Sequence, residues 1–205
     1  MGVISQGILG GFSGKVGNVI GGNWKGIDYM RVKPASVSNP QTASQMEQRT
    51  KFSTVLNFLQ PISEFIKVGF KAYAVKMTAF NSAMSYNVRN AITGDYPDFS
   101  IDYASALVSR GALAAALNPS VNSIIESEIA FSWDDNSAEG NANTTDKAML
   151  LVLNPGKKEA VYIVDGAARN SGSQILTVPE NYTGDTVECY IAFIALDGTV
   201  SNSKF

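Results

Sequence analysis

The first thirty-four residues, MGVISQGILGGFSGKVGNVIGGNWKGIDYMRVKP, set the tightest limit on how this chain folds, because they join two compositions that usually exclude each other. Nine of the chain's eighteen glycines fall here (Gly2, Gly7, Gly10, Gly11, Gly14, Gly17, Gly21, Gly22 and Gly26). Each lowers helix or strand propensity by roughly 0.5–1 kcal/mol relative to alanine. Threaded between them are Val3, Ile4, Ile8, Leu9, Phe12, Val16, Val19, Ile20, Trp24, Ile27 and Tyr29, whereas a flexible tail is normally polar. Too poor in propensity for helix and too apolar to be left in water, the stretch reads as an extended arm that needs a partner surface. The run GFSGKVG at 11–17 groups glycines with Lys15, but a phosphate-binding loop needs a longer glycine spacing and Ser or Thr directly after the lysine, where Val16 stands. Glycine used for close approach of backbone is the reading retained.

The remainder of the 205 residues, 45% apolar and 17% charged overall, is ordinary for a globular chain with a core of its own. No run of eighteen apolar residues occurs, and the amino terminus lacks the order of a secretory signal, so cytoplasmic synthesis without membrane insertion is expected. Histidine is absent and Cys189 is the single cysteine, which removes the commonest general base and the commonest metal ligands. No cofactor, metal or small-molecule substrate is expected. The net charge of -2 conceals a division: residues 1–90 carry ten Lys or Arg against three Asp or Glu, and the rest six against fifteen. Balances of +7 and -9 suit attraction between copies of the chain, or nucleic-acid contact through the basic half.

After a Gly-rich arm at 1–38, residues 39–94 read as amphipathic helices. Asn39-Pro40 is a helix start, with Phe52, Val55, Leu56 and Leu59 at spacings of three and four and Pro61 as a stop. Ile62, Phe65, Ile66, Phe70 and Tyr73 continue an apolar face, with Gly69 at a close crossing. Thr78 caps a third segment with a Phe80, Met84, Val88, Ile92 stripe, ended by Gly94.

Near residue 95 the period changes to alternation, and 95–205 reads as a β domain. Strands are expected at 99–108, 126–133, 148–154, 160–164, 174–178, 186–195 and 199–203, with turns at Asn118-Pro119, Asn154-Pro155-Gly156, Pro179 and Asp197-Gly198. Ile129, Phe131 and Trp133 share one face of a strand, and short strands around such a tryptophan suggest an immunoglobulin- or fibronectin-like antiparallel sandwich. The fold class is therefore α+β. The polar stretch DDNSAEGNANTTD at 134–146 is the one place where acids would gather around calcium, although its spacing is not that of an EF-hand and an exposed hairpin tip has the same composition.

Five pieces, GGFSGKVGNVIGGNWKG, YMRVKP, SNPQTASQMEQRTKF, FNSAMSYNVRNAITGDYPDFSIDY and VECYIAFIALDGTVSNSKF, resemble a family of uncharacterised proteins of about this length found mainly in Bacteroidota. The resemblance spans essentially the whole chain and implies no activity. The element Asn39-Pro40-x-Thr42-x-x-Gln45-x-x-x-Arg49 is also similar to short N-terminal motifs of phage and prophage structural proteins.

Catalysis is the least favoured class. No G-x-S-x-G elbow is present, and the carboxylates Glu126, Glu128, Asp134 and Asp135 are what a hairpin displays as well as what a glycosidase needs. The leading expectation is a non-enzymatic structural protein that self-associates as a homo-oligomer or as part of a virion, tail-like or other extracellular particle. Phe12, Lys15, Trp24, Tyr29, Arg31, Lys33 and Arg49 are the expected interaction residues. The alternative is a binding module for nucleic acid through the basic half, or for carbohydrate or a cell surface through sandwich loops.

Overall fold

Glycine does not leave the N-terminal stretch without structure. In the computed structural model, which describes residues 3–4, 11–36, 41–125 and 127–205, it forms an antiparallel sheet of β1 (Val3–Ile4), β2 (Phe12–Val16), β3 (Val19–Trp24) and β4 (Ile27–Val32), in sequential order. Two-residue turns join the last three strands. At Lys25 and Gly26 φ is +49° and +80°, the double positive φ of a type I′ hairpin, and at Gly17 it is +58°. The extended backbone expected of this stretch is present as short strands, which pair their backbone groups with one another. Glycine also clears space for rings. A Cβ at Gly21 would stand 2.7 Å from the Phe12 ring and one at Gly22 2.9 Å from the Tyr29 hydroxyl, so each aromatic lies across bare backbone.

The chain divides into two units, residues 1–42 and 43–205. In the second, α1 (Ala43–Leu59), α2 (Ser63–Gly69), a 3-10 turn at Lys71–Tyr73 and α3 (Ala79–Asn90) precede a short pair, β5 (Ile92–Thr93) and β6 (Ser100–Ile101). Six strands follow: β7 (Leu117–Ile125), β8 (Glu128–Asp134), β9 (Lys147–Asn154), β10 (Glu159–Ile163), β11 (Ser173–Thr177) and β12 (Glu188–Ile194). They form two antiparallel sheets, β11-β8-β7 and β10-β9-β12. The asparagine-proline helix start at 39–40 and Glu126 lie outside the described residues.

The pleat of β9 organises this unit. Ala148, Leu150 and Val152 share a core with Ile129, Phe131 and Trp133 of β8 and with Ile191 and Phe193 of β12. Met149, Leu151 and Leu153, on the other side, share a core with Val55, Phe58, Leu59, Phe65, Ile66 and Met84 of the helices. Helices, middle sheet and outer sheet are three layers, and a strand buried on both faces reads as a continuous apolar run, here AMLLVL. The change of period near residue 95 thus falls inside one unit and marks a change of layer.

Several expectations shift. Phe52 is 52% exposed, and the buried face of α1 runs through Phe58 instead, whose ring meets Tyr103 edge-on at 5.8 Å. Asn118-Pro119, expected as a turn, sits inside β7 as a register shift, with Asn118 at φ +46° donating its side-chain amide to Asp134 Oδ2 at 2.8 Å. Residues 99–108 give only the two-residue β6, and 199–203 make single bridges, Val200 to Ile194 and Ser201 to Leu113. Thr78 caps α3 as expected, accepting from Asn81 N at 3.1 Å, whereas Gly94, with φ +85°, serves the turn between β5 and β6.

Two polar knots hold the loops. Arg169 is fully buried. It donates from Nε to Asp146 at 3.1 Å, from Nη1 to Asn136 at 2.7 Å and from Nη2 to the Ala114 carbonyl at 3.0 Å, and its guanidinium lies 3.9 Å from the Phe193 ring centre. Burial pulls its proton affinity below the ordinary value, and the Asp146 carboxylate acts in the opposite sense. In the second knot buried Asn87 of α3 binds both backbone groups of Leu107, donating at 2.9 Å and accepting at 3.0 Å.

Candidate functional site

Register decides which side chains of the N-terminal sheet act together. Lys15 stands opposite Ile20, Ile20 opposite Arg31, Gly22 opposite Tyr29 and Trp24 opposite Ile27. Opposed residues and alternate residues along a strand point to the same side. Lys15, Ile20 and Arg31 therefore share a face with Trp24, Ile27 and Tyr29. Lys33 follows Arg31 in the same alternation, and its N–H donates to the Asn18 carbonyl at 2.7 Å. Lys25, in the adjoining turn, places its ammonium 5.6 Å from the Trp24 ring centre.

Five of the seven expected interaction residues are thus gathered on one face. Phe12 lies on the reverse face with Val16, Val19, Met30 and Val32. Arg49 belongs to the second unit, exposed on α1. The only acid in the first forty-two residues, Asp28, stands opposite Asn23 and accepts from its side-chain amide at 2.6 Å. Asp28 also falls on the reverse face, which leaves the aromatic face purely cationic. Sequence reasoning missed Met30 and Val32, 71% and 69% exposed, although the alternation IDYMRV carried the signal. Both faces thus carry exposed apolar side chains.

Residues 11–205 match the model of a family described as "Family of unknown function (DUF6266)". The chain belongs to this family. The match takes in β2, β3 and β4 together with the whole second unit, so the N-terminal sheet of this DUF6266 member is part of the family's pattern rather than an appendage to it. No curated protein matches the sequence.

Elsewhere the acids of 134–146 do not converge. The Asp135 carboxyl is held below the usual range by the Ser137 hydroxyl and then by the Ser137 N–H, which donates to it at 3.0 Å, and Asp146 is taken by Arg169 and by Asn143 N at 2.9 Å. Among the described residues no three His, Cys, Asp or Glu side chains are placed to hold a metal ion. No described helix is long and apolar enough to cross a membrane. Burial, helped by Glu188, pushes the Cys189 thiol up to about 12, so it is protonated near neutral pH and a poor nucleophile.

Proposed function

We propose that this chain is a non-enzymatic structural protein that works by assembly, with its N-terminal sheet docking onto a second copy. The observation that carries the reading is the two-faced exposure of that sheet: Val16, Ile27, Tyr29, Met30 and Val32 are 55%, 53%, 48%, 71% and 69% exposed within a span of seventeen residues. Covering about 400 Å² of apolar surface contributes roughly 10 kcal/mol before the entropic cost of association. Because the strands already pair their backbones, less ordering remains to be done on docking than an extended arm would require. Trp24 is the natural anchor, and Lys15, Arg31 and Lys33 are the charges that meet the acidic remainder of a neighbouring copy.

The finer reading of the strands supports a display scaffold. In chain order the outer sheet takes the first, second and fifth of the six main strands and the middle sheet the fourth, third and sixth. That order is the one in which immunoglobulin- and fibronectin-type domains arrange strands A, B and E against C′, C and F. Tyr182, buried on the corner before β12, supports the same reading, because those domains carry a tyrosine near that corner. Together with the phage-like element ending in Arg49, this favours a component of a phage-like virion, a tail-like structure or another extracellular particle.

A second reading rests on the cationic face itself: with two aromatics beside four cations, it also suits the backbone and bases of a nucleic acid. Removal of residues 2–36, followed by light scattering at low and high salt, tests both. Assembly predicts an oligomer that falls to monomer on deletion. If the full chain and the deletion variant are monomers at every salt concentration, the assembly reading is wrong. A gel shift abolished by the deletion and by high salt would move the function to nucleic acid.

A further inference from the structure

The geometry points to a binding site for a phosphate-bearing ligand in an open cleft of about 490 Å³ between α3, the turn at 71–77 and Arg110. Its walls include Arg89, Arg110, Tyr73, Tyr86, Ser82 and Ser85, and among the described residues no carboxylate lines it. The inference is independent of the N-terminal sheet, since every lining residue belongs to the second unit.

Arg110 is held in place from both sides. Its own N–H donates to the Gly69 carbonyl at 2.9 Å. Ser109 before it is fully buried and donates to the Ser201 carbonyl at 2.7 Å. Gly111 after it donates to Asn202 Oδ1 at 3.1 Å, and a side chain there would run into the Val200 carbonyl. Gly69 in turn admits no Cβ, which would stand 2.6 Å from the Val108 carbonyl oxygen. A surface arginine is not usually anchored so closely, and the anchoring removes much of the ordering cost of using it.

The guanidinium lies over two rings, 4.3 Å from the centre of Tyr73 and 5.2 Å from that of Tyr86. Stacking engages the flat faces of the fork and leaves its N–H edges for an in-plane acceptor. Among the described residues no such acceptor is present: the four ion pairs belong to Lys51, Lys67, Lys157 and Arg169, and none to Arg110 or Arg89. Arg169 shows what a satisfied arginine looks like in this chain, with Asp146, Asn136 and Ala114 all accepting from it.

Two guanidinium forks without a carboxylate match the charge and the three terminal oxygens of a phosphate monoester better than the two oxygens of a carboxylate. The hydroxyls of Ser85 and Tyr86 add donors that do not discriminate against a third oxygen. Free phosphate and phosphate carried on a small metabolite present the same group, and the cleft has room for either.

Calorimetry on the full chain, with NMR of the arginine Nε–H signals, separates the two. The probes are inorganic phosphate, a nucleoside monophosphate and the same nucleoside without phosphate. Binding of phosphate alone assigns a free-anion site, tighter binding of the monophosphate assigns an esterified ligand, and both require that the bare nucleoside does not bind. Arg110→Gln is expected to abolish binding and Arg89→Gln, on an exposed residue, to weaken it about tenfold or more. Should Arg110→Gln fail to fold, Arg89→Gln alone decides. The site does not exist if neither phosphate nor the monophosphate binds at millimolar concentration, or if Arg89→Gln leaves the affinity unchanged.

Discussion

Strands β9 and β3 are both apolar on both faces, and they meet that condition in opposite ways. In β9, KAMLLVLN, every residue after Lys147 is buried, because a sheet covers one side and helices the other. In β3, VIGGNW, the centre of the strand is Gly21-Gly22, and what lies over each face is one ring, Phe12 or Tyr29. A strand with large side chains on both faces demands two covering layers from its own chain. One with glycine at its centre can be half-covered by its neighbours and leave the remaining apolar rim to something else. The contrast separates a strand sealed by large side chains on both faces from one whose glycine centre makes room for a neighbouring strand's ring on each.

The largest test of that contrast is Trp133→Ala. The ring packs edge-on against Phe193 at 5.6 Å, and its Nε1 donates to the Arg169 carbonyl at 2.7 Å, so the substitution leaves a cavity and removes that carbonyl's shorter hydrogen bond. A loss of about 3–5 kcal/mol is expected in denaturant melts. An unchanged melt would mean that the outer layer does not cover β9.

Leu151→Ala probes the opposite side of the same strand and should cost about 2–5 kcal/mol. Far-ultraviolet dichroism and tryptophan fluorescence should lose structure at the same, lower midpoint. Helices that melted apart from the strands would break the account of a shared core.

A change in the N-terminal sheet should act locally. Gly22→Val places side-chain atoms where the Tyr29 ring lies, at an expected cost of about 1 kcal/mol. Amide exchange in β3 and β4 should quicken while protection in β9 stays as it was. Faster exchange in both would show the two units to be one cooperative structure.

The smallest stability effect belongs to Met30→Ser combined with Val32→Ser, exposed on β4, which should shift the melt by no more than about 0.5 kcal/mol. Its readout is solution mass, where a partial drop in association without a drop in stability is expected, since Trp24 and the cations on the opposite face remain. An association constant that did not move would place the docking contact on the other face, with Trp24 and Tyr29.

These outcomes also mark how far the sequence could be read. The alternation of Ile129, Phe131 and Trp133, the run AMLLVL and the cap at Thr78 were legible because each is a local pattern with one physical meaning. Phe52 and Phe58 were not distinguishable by spacing alone, since the choice between them is made by Tyr103, far along the chain. Asn118-Pro119 carries the chemistry of a turn, and pairing with β8 overrode it by absorbing the extra length as a bulge. For the N-terminal stretch, glycine content argued against regular structure, whereas hairpin turns at Gly17 and Gly26 use that same glycine to make it. Five of the seven expected interaction residues, all but Phe12 and Arg49, were grouped on one face by a register that only the hairpins define. Arg110 had no motif around it, because its setting is assembled from Gly69, Tyr73, Tyr86 and residues 200–202.

The stitching of residues 108–111 to 200–203 carries a consequence in time. Val108 N and Gly111 N donate to side chains of Ser203 and Asn202, and Ser109 Oγ to the Ser201 carbonyl, across about ninety residues of chain. During synthesis the segment that positions Arg110 emerges long before the residues that fasten it, and closing so large a loop is entropically costly and slow. Helices and β9 can meet earlier, but this seam closes only once residues 201–203 have emerged, so a ribosome-bound chain cut short before residue 200 would carry a body with that fastening undone.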